Sequence, residues 1–196
     1  MDKPAPADHE IHHLIARRWS PRAFDPAGGV GATEMMRLFE AARWAPSAFN
    51  AQPWAYVYGL AGTPAFAILL ACLVPFNQSW AQRAGALVVA CNRTLDDKGA
   101  PLTHGEHDLG LSVATLLLQA EAMGLAAHAM SGFDRAQAAG ALAVPAGWQP
   151  MTAIAVGLPG DPALLDERQR EREVGPRQAR RPVTEFAFEG AWPAAD

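Results

Sequence analysis

The sequence predicts an α+β fold, and three observations carry that prediction. Four short apolar runs read as strands: Ala55-Tyr56-Val57-Tyr58 and residues 86–91, 126–130 and 153–157. Segments with apolar residues at helical spacing lie before and between them, the strongest over residues 109–124. Pro, Gly and small polar residues mark the boundaries.

Taken in order, residues 8–18 predict a short helix with Asp8 as N-cap and Ile11, Leu14 and Ile15 on one face. After the turn Pro26-Ala27-Gly28-Gly29, Thr33 begins a second helix. Met35, Met36, Leu38, Phe39, Ala42 and Arg43 follow at helical spacing as a core stripe, and Pro46 stops it. Residues 65–73 read as a third helix, ended by Pro75, and 94–104 as an exposed loop. His104-Gly105-Glu106-His107-Asp108 crowds potential metal ligands, but no other His or Cys cluster offers the remaining ones a zinc site needs. No metal is therefore expected; the segment reads as a helix start with Glu106 and Asp108 in the first turn.

Val113, Leu116, Leu117, Ala120 and Met123 form one stripe of the 109–124 helix, while Leu111, Ala114 and Leu118 cover much of the rest. A helix apolar on nearly all sides is central or shared with a second subunit. Gly124 ends it. His128 sits in an apolar strand and reads as a satisfied core residue. Gly132 permits close backbone approach to a ligand, and Asp134 N-caps a helix running through Leu142. Beyond Pro159 the chain turns polar, and the mixed charges of residues 166–173 suit a solvated arm or helix.

Two stretches carry the functional signal. Ala45-Pro46-Ser47-Ala48-Phe49-Asn50-Ala51-Gln52-Pro53-Trp54 joins a helix to a strand through two prolines and three hydrogen-bonding side chains, with Phe49 and Trp54 able to pin it. On its own it fits either a plain connection or a rigid ledge for a planar ligand. Arg17-Arg18-Trp19-Ser20-Pro21-Arg22-Ala23-Phe24-Asp25 fits either a solvated basic turn or a phosphate site, since Arg forks and a Ser hydroxyl grip phosphate.

Together the two stretches resemble the nitroreductase family of FMN-dependent oxidoreductases. That family carries Arg-x-Ser-x-Arg/Lys-x-Phe, here Arg18, Ser20, Arg22 and Phe24. About two dozen residues later it carries Pro-Ser-x-x-Asn-x-Gln-Pro-Trp, here Pro46, Ser47, Asn50, Gln52, Pro53 and Trp54. The resemblance extends over nearly the whole chain. It implies a central, mainly antiparallel sheet flanked by helices, in an intertwined homodimer with FMN at the subunit interface. Residues 1–196 then form a single domain, with about 160–196 as an extended C-terminal arm.

The resemblance also implies a set of cofactor contacts. Arg18, Trp19 and Ser20 would lie at the phosphate, Arg22 and Asn77 at the ring or ribityl chain. Met130, Ser131 and Gly132 would lie at flavin N5 and O4, with Ser131 and Gly132 offering main-chain groups. Pro46, Ser47, Ala48, Asn50 and Gln52 would come from the other subunit. Arg180 fits a basic position that reaches the phosphate, with Gln178 where a second cation is usual and Arg177 as its substitute. Two departures stand out: Trp80 replaces a Lys common in the family, which assigns the cation at the flavin's pyrimidine edge to Arg22, and Ser131 replaces a frequent Glu.

The implied reaction is a two-step cycle. NADH or NADPH gives hydride to FMN N5 and leaves, and a small electron-poor acceptor, such as a nitroaromatic or quinone, then takes two electrons. No side chain need act as catalyst, in keeping with the lack of a nucleophile elbow, P-loop, GxGxxG or Cys-x-x-Cys. Same-fold alternatives are enal or aldehyde reduction, dehalogenation, flavin destruction, or flavin binding without catalysis. A net charge of −4 over 196 residues gives no reason to expect nucleic acid or membrane as partner. Cys72 and Cys91, both in apolar runs, predict buried free thiols. With no apolar leader, a cytoplasmic location is expected.

Overall fold

Strand β2 (Ala86–Arg93) sits at the centre because both of its faces are apolar. Leu87, Val89 and Cys91 join one hydrophobic cluster, while Ala86, Val88 and Ala90 join another. The computed structural model describes residues 3–193. In it β1 (Trp54–Leu60) and β4 (Trp148–Gly157) flank β2, and β3 (Ala126–Met130) completes the sheet beyond β4, in the order β1-β2-β4-β3. All three pairings are antiparallel. The fold is thus α+β, as the sequence predicts.

Helices cover both faces, which is why the strands read as continuous apolar runs. Helix α2 (Ala32–Arg43) and helix α5 (Gly105–Ala122) bury Met35, Leu38, Ala42, Leu109, Val113, Leu116 and Ala120 on one side. Helices α3 (Pro64–Ala71), α4 (Pro75–Ala81) and α6 (Arg135–Ala141) bury Phe66, Leu69, Trp80, Ala81 and Ala138 on the other. Local chemistry sets their starts. The Glu34 carboxylate accepts from Gly31 N (2.9 Å), Thr63 Oγ1 from Phe66 N (3.2 Å) and Asp134 from Gln137 N (2.9 Å).

Several sequence expectations need correction. Helix α1 spans only His13–Arg17, and its N-cap is His12, whose ring accepts from Leu14 N, rather than Asp8. The Ala5 N–H donates to Ala16 O (2.7 Å), so the residues before α1 run back along it instead of extending it. Pro75 does more than follow α3: it opens α4 as the first helical residue, where its missing N–H costs nothing. Met36 is half exposed, so the α2 core stripe is Met35, Leu38 and Ala42, with Phe39 packed on Tyr56 and Tyr58. In α5, Ala114 is exposed and Leu111 and Leu118 only partly covered.

Helix α7 (Glu167–Val174), N-capped by Asp166, is not simply solvated: Gln169 and Glu173 are buried. Residues 176–193 contain one short 3-10 turn, Val183–Glu185, and are almost entirely exposed. Cys72 and Cys91 are buried and unpaired. No helix among the described residues is long and apolar enough to cross a membrane.

Gly124 closes α5 with φ +72°. Gly124 N donates to Glu121 O and Leu125 N to Ala120 O, the paired bonds of a Schellman motif. Gly124→Ala forces a Cβ into the left-handed region and should cost about 1–2 kcal/mol. A urea titration should show a lower midpoint with an unchanged slope.

His128, on β3, is buried as expected, with Nδ1 2.9 Å from Pro21 O. A carbonyl only accepts, so the neutral ring carries its proton on Nδ1. Burial pushes its pKa down from 6.5 to about 4, against the opposing pull of that hydrogen bond. As pH falls, the unfolded chain binds this proton first. The associated stability is therefore full above pH 6.5 and is lost towards pH 4, by about 3 kcal/mol. His128→Gln should flatten that part of the stability–pH curve.

Candidate functional site

The segment after α1 has no regular structure, yet its main chain is braced at several points by distant residues. Arg177 donates to Lys3 O, Ala16 O and Arg18 O (2.7–3.1 Å). His128 holds Pro21 O. Glu173 Oε1 accepts from Arg22 N (2.8 Å) and Ala23 N (2.9 Å), and Gly160 N donates to Ala23 O (2.8 Å). Phe24 is fully buried and stacks on Trp80, which also contacts the His128 ring.

This bracing leaves the side chains of Arg18, Trp19, Ser20 and Arg22 lining a cleft of about 400 Å3, closed by His128 and by residues after α7, including Arg180. Among the described residues, Lys3, Arg18, Arg22, Arg172, Arg177 and Arg180 face it against the single carboxylate of Glu171. In a chain of net charge −4 that is a strong local reversal. Burial lowers the Arg22 pKa, opposed by the charge of Glu173, and Arg22 Nε is buried with no partner among the described residues.

Arg22 links the cleft to a second group. Its guanidinium lies 6.0 Å from the centroid of the Phe76 ring. The next residue, Asn77, is buried and donates from Nδ2 to Gly132 O (2.9 Å). A Cβ on Gly132 would lie 2.6 Å from Asn77 Nδ2, so only glycine allows this approach. Met130 is buried at the end of β3 and Ser131 is exposed. Trp80 lies wholly in the core, so its position offers the cleft no charge.

The ledge is elsewhere. Ala48 N donates to Asp108 Oδ2 (3.0 Å) and Gln52 N to Ser47 Oγ (3.1 Å). Phe49, Asn50 and Gln52 all have positive φ (52°, 57° and 47°), a strain of about 1–3 kcal/mol each. Pro46, Asn50 and Gln52 are exposed, with Ser47 and Ala48 partly so. Phe49 is fully exposed and does not pin the loop as the sequence suggested. The ledge leads into β1 and the cleft adjoins β3, the two edges of the sheet, about 14 Å apart at the usual strand spacing. One chain brings together Arg18, Trp19, Ser20, Arg22 and Arg180, with Asn77 and Gly132 beside them, but not the ledge.

Sequence reasoning missed Glu173 as part of the site and His128 as its wall. Glu173 follows the buried Gln169 at i+4 on one face of α7, a weak signal inside a run of charges.

Three comparisons bear on this arrangement. An uncharacterised 15.4 kDa protein of Mycolicibacterium smegmatis, in the ask 5′ region, is 37% identical over 123 residues, 63% of this chain and 82% of its own length. An oxygen-insensitive NADPH nitroreductase of Helicobacter pylori is 33% identical over 86 residues, 43% of this chain and 40% of its own. This chain therefore matches less than half of that enzyme's length. The crystal structure of an oxidoreductase containing FMN superposes with a TM-score of 0.91 at 31% identity, covering 97% of both chains. The model of the nitroreductase family matches residues 15–59 and 64–158. With the Arg18–Phe24 segment and the Pro46–Trp54 ledge both inside the matched region, the chain belongs to the nitroreductase family.

Proposed function

We propose that this oxidoreductase is an FMN-dependent enzyme that oxidises NADH or NADPH and reduces nitroaromatics, quinones or similar electron-poor acceptors in a ping-pong cycle. The observation that carries the reading is the cationic cleft built by Arg18, Ser20, Arg22 and Arg180 in an otherwise acidic chain. The names of the relatives support it: the 31% identical structure contains FMN and the Helicobacter protein is an NADPH nitroreductase.

The residues present fit FMN on their own chemistry. Arg18, Ser20 and Arg180 offer charged and hydroxyl donors for a phosphate. The unpartnered Nε of Arg22 gives a buried donor still seeking an acceptor. Asn77 and the glycine-only approach at Gly132 form a narrow edge suited to a flat ring. Bound FMN would supply two-electron chemistry that no side chain here carries. With FMN bound, Arg22 would stabilise negative charge on the ring edge, Trp19 and Met130 would border the cofactor, and the main chain at Ser131 and Gly132 would offer it polar groups.

The remaining contacts, Pro46, Ser47, Ala48, Asn50 and Gln52, come in this reading from a second copy. The partly covered outer face of α5 and the exposed Phe186 and Trp192 after α7 give that copy apolar surface to bury. The chain is then one domain with residues from about 160 onward as an arm, acting in the cytoplasm.

Purified protein should be yellow and dimeric by sedimentation, and bleach anaerobically with a nicotinamide. Nitro, quinone and enone acceptors assayed in parallel rank the acceptor classes. A colourless monomer indifferent to added FMN contradicts the reading. Arg18→Ala should weaken FMN binding by about 10–100-fold, the loss of a charged hydrogen bond. Arg22→Ala should lower the flavin midpoint potential in dye-coupled redox titration, and an unchanged potential removes Arg22 from that role.

A further inference from the structure

Among the described residues, Glu173 is the one carboxylate buried behind the cleft, at 1% exposure. Ionised carboxylates are costly to bury unless neighbouring donors and charges compensate them. Two main-chain N–H groups, those of Arg22 and Ala23, converge on Oε1 at 2.8 and 2.9 Å, while Oε2 has no partner among the described residues. With the Arg22 main chain bonded to it, the Glu173 carboxylate lies close enough for its charge to oppose the effect of burial on the Arg22 guanidinium, although the two side chains form no ion pair. Lys3 Nζ adds a second cation, donating to Glu173 O (2.8 Å). Glu173 does not itself line the cleft and acts on it through Arg22, which its carboxylate holds by the main chain, and through Lys3, which its carbonyl holds. It fixes where the arginine's main chain sits and offsets part of its charge.

We propose that Glu173 is a positioning residue that both seats the Arg22–Ala23 main chain for cofactor binding and moderates the positive field Arg22 exerts on the flavin. This rests on the FMN reading of the cleft. The two roles separate by substitution. Gln keeps an oxygen that accepts from both N–H groups but removes the charge, whereas Ala removes both. A residue that only fills space would leave the flavin potential untouched by the isosteric change.

The test uses full-length protein loaded with FMN. Wild type, Glu173→Gln, Glu173→Ala and the surface control Glu167→Gln are compared for FMN dissociation constant and flavin midpoint potential. Glu173→Gln should hold FMN as wild type does, within about threefold, yet show a raised midpoint potential, because less negative charge opposes Arg22. Glu173→Ala should lose FMN affinity about tenfold or more, the cost of stranding buried donors, with Gln restoring it. Glu167→Gln should change neither quantity.

A Glu173→Gln protein with the wild-type potential overturns the proposal, and does so even where Glu173→Ala fails to fold. A Glu173→Ala protein that binds FMN like wild type overturns the seating role. Wild-type protein that binds no FMN overturns the cofactor reading and this inference with it, and that measurement comes first, so the two failures are distinguishable.

Discussion

The constraint on which the site depends is main-chain satisfaction in residues 18–25. This stretch lies outside any helix or strand, so apart from Arg18 N on Leu14 O and Asp25 O on Gly28 N its bonded main-chain groups find distant partners. They do so against the second half of the chain: Arg177 at Arg18 O, His128 at Pro21 O, Glu173 at Arg22 N and Ala23 N, Gly160 at Ala23 O, and Leu158 O at Asp25 N. A turn held mainly by long-range bonds takes its shape when β3, β4 and α7 are in place. The cleft is thus a product of the whole fold, and part of the frame that holds its arginines, Arg177 and His128, also forms its wall.

Electrostatics follow from that frame. Gathering Lys3, Arg18, Arg22, Arg172, Arg177 and Arg180 around one cleft creates self-repulsion. The structure answers it in two ways. Arg177 spends its guanidinium on three carbonyl oxygens, converting a cation into a brace. Glu173 places a buried negative charge beside Arg22. Neutral His128 adds no further positive charge to the wall at physiological pH, because burial holds its pKa near 4. Arg180 gives Nη1 to Gln178 O (3.1 Å) and keeps its other donors, and Arg18 makes no side-chain hydrogen bond among the described residues.

The parts of this molecule that could be read from sequence are those whose cause is local. β2 and β4 were legible because a strand buried on both faces must be apolar throughout, and Gly124 because a left-handed residue after a long helix favours glycine. That Arg18, Ser20 and Arg22 share one cleft was legible because they fall within five residues of one another on a single turn. The misses have distant causes. The length of α1 is set by Ala5 pairing with Ala16, and the burial of Glu173 by N–H groups 150 residues away in sequence. Phe49 looked like an anchor because aromatic residues in loops usually pack; here its left-handed backbone turns it outward.

That outward Phe49 bears on why one chain looks incomplete. Strained backbone persists only where its surroundings impose it, and here Asp108 and Ser47 fix the ledge in a shape that leaves Phe49 fully exposed. A stiff four-stranded sheet keeps this ledge and the arginine cleft on opposite edges, so no bending within one chain can join them. Under the proposed shared site, a twofold pairing resolves both problems at once, since each ledge meets the other chain's cleft and each exposed Phe49 gains a surface to cover it. The same pairing would cover the outer face of α5. Strain at 49–52, bare apolar surface and a split set of ligand-binding residues then have a single physical origin.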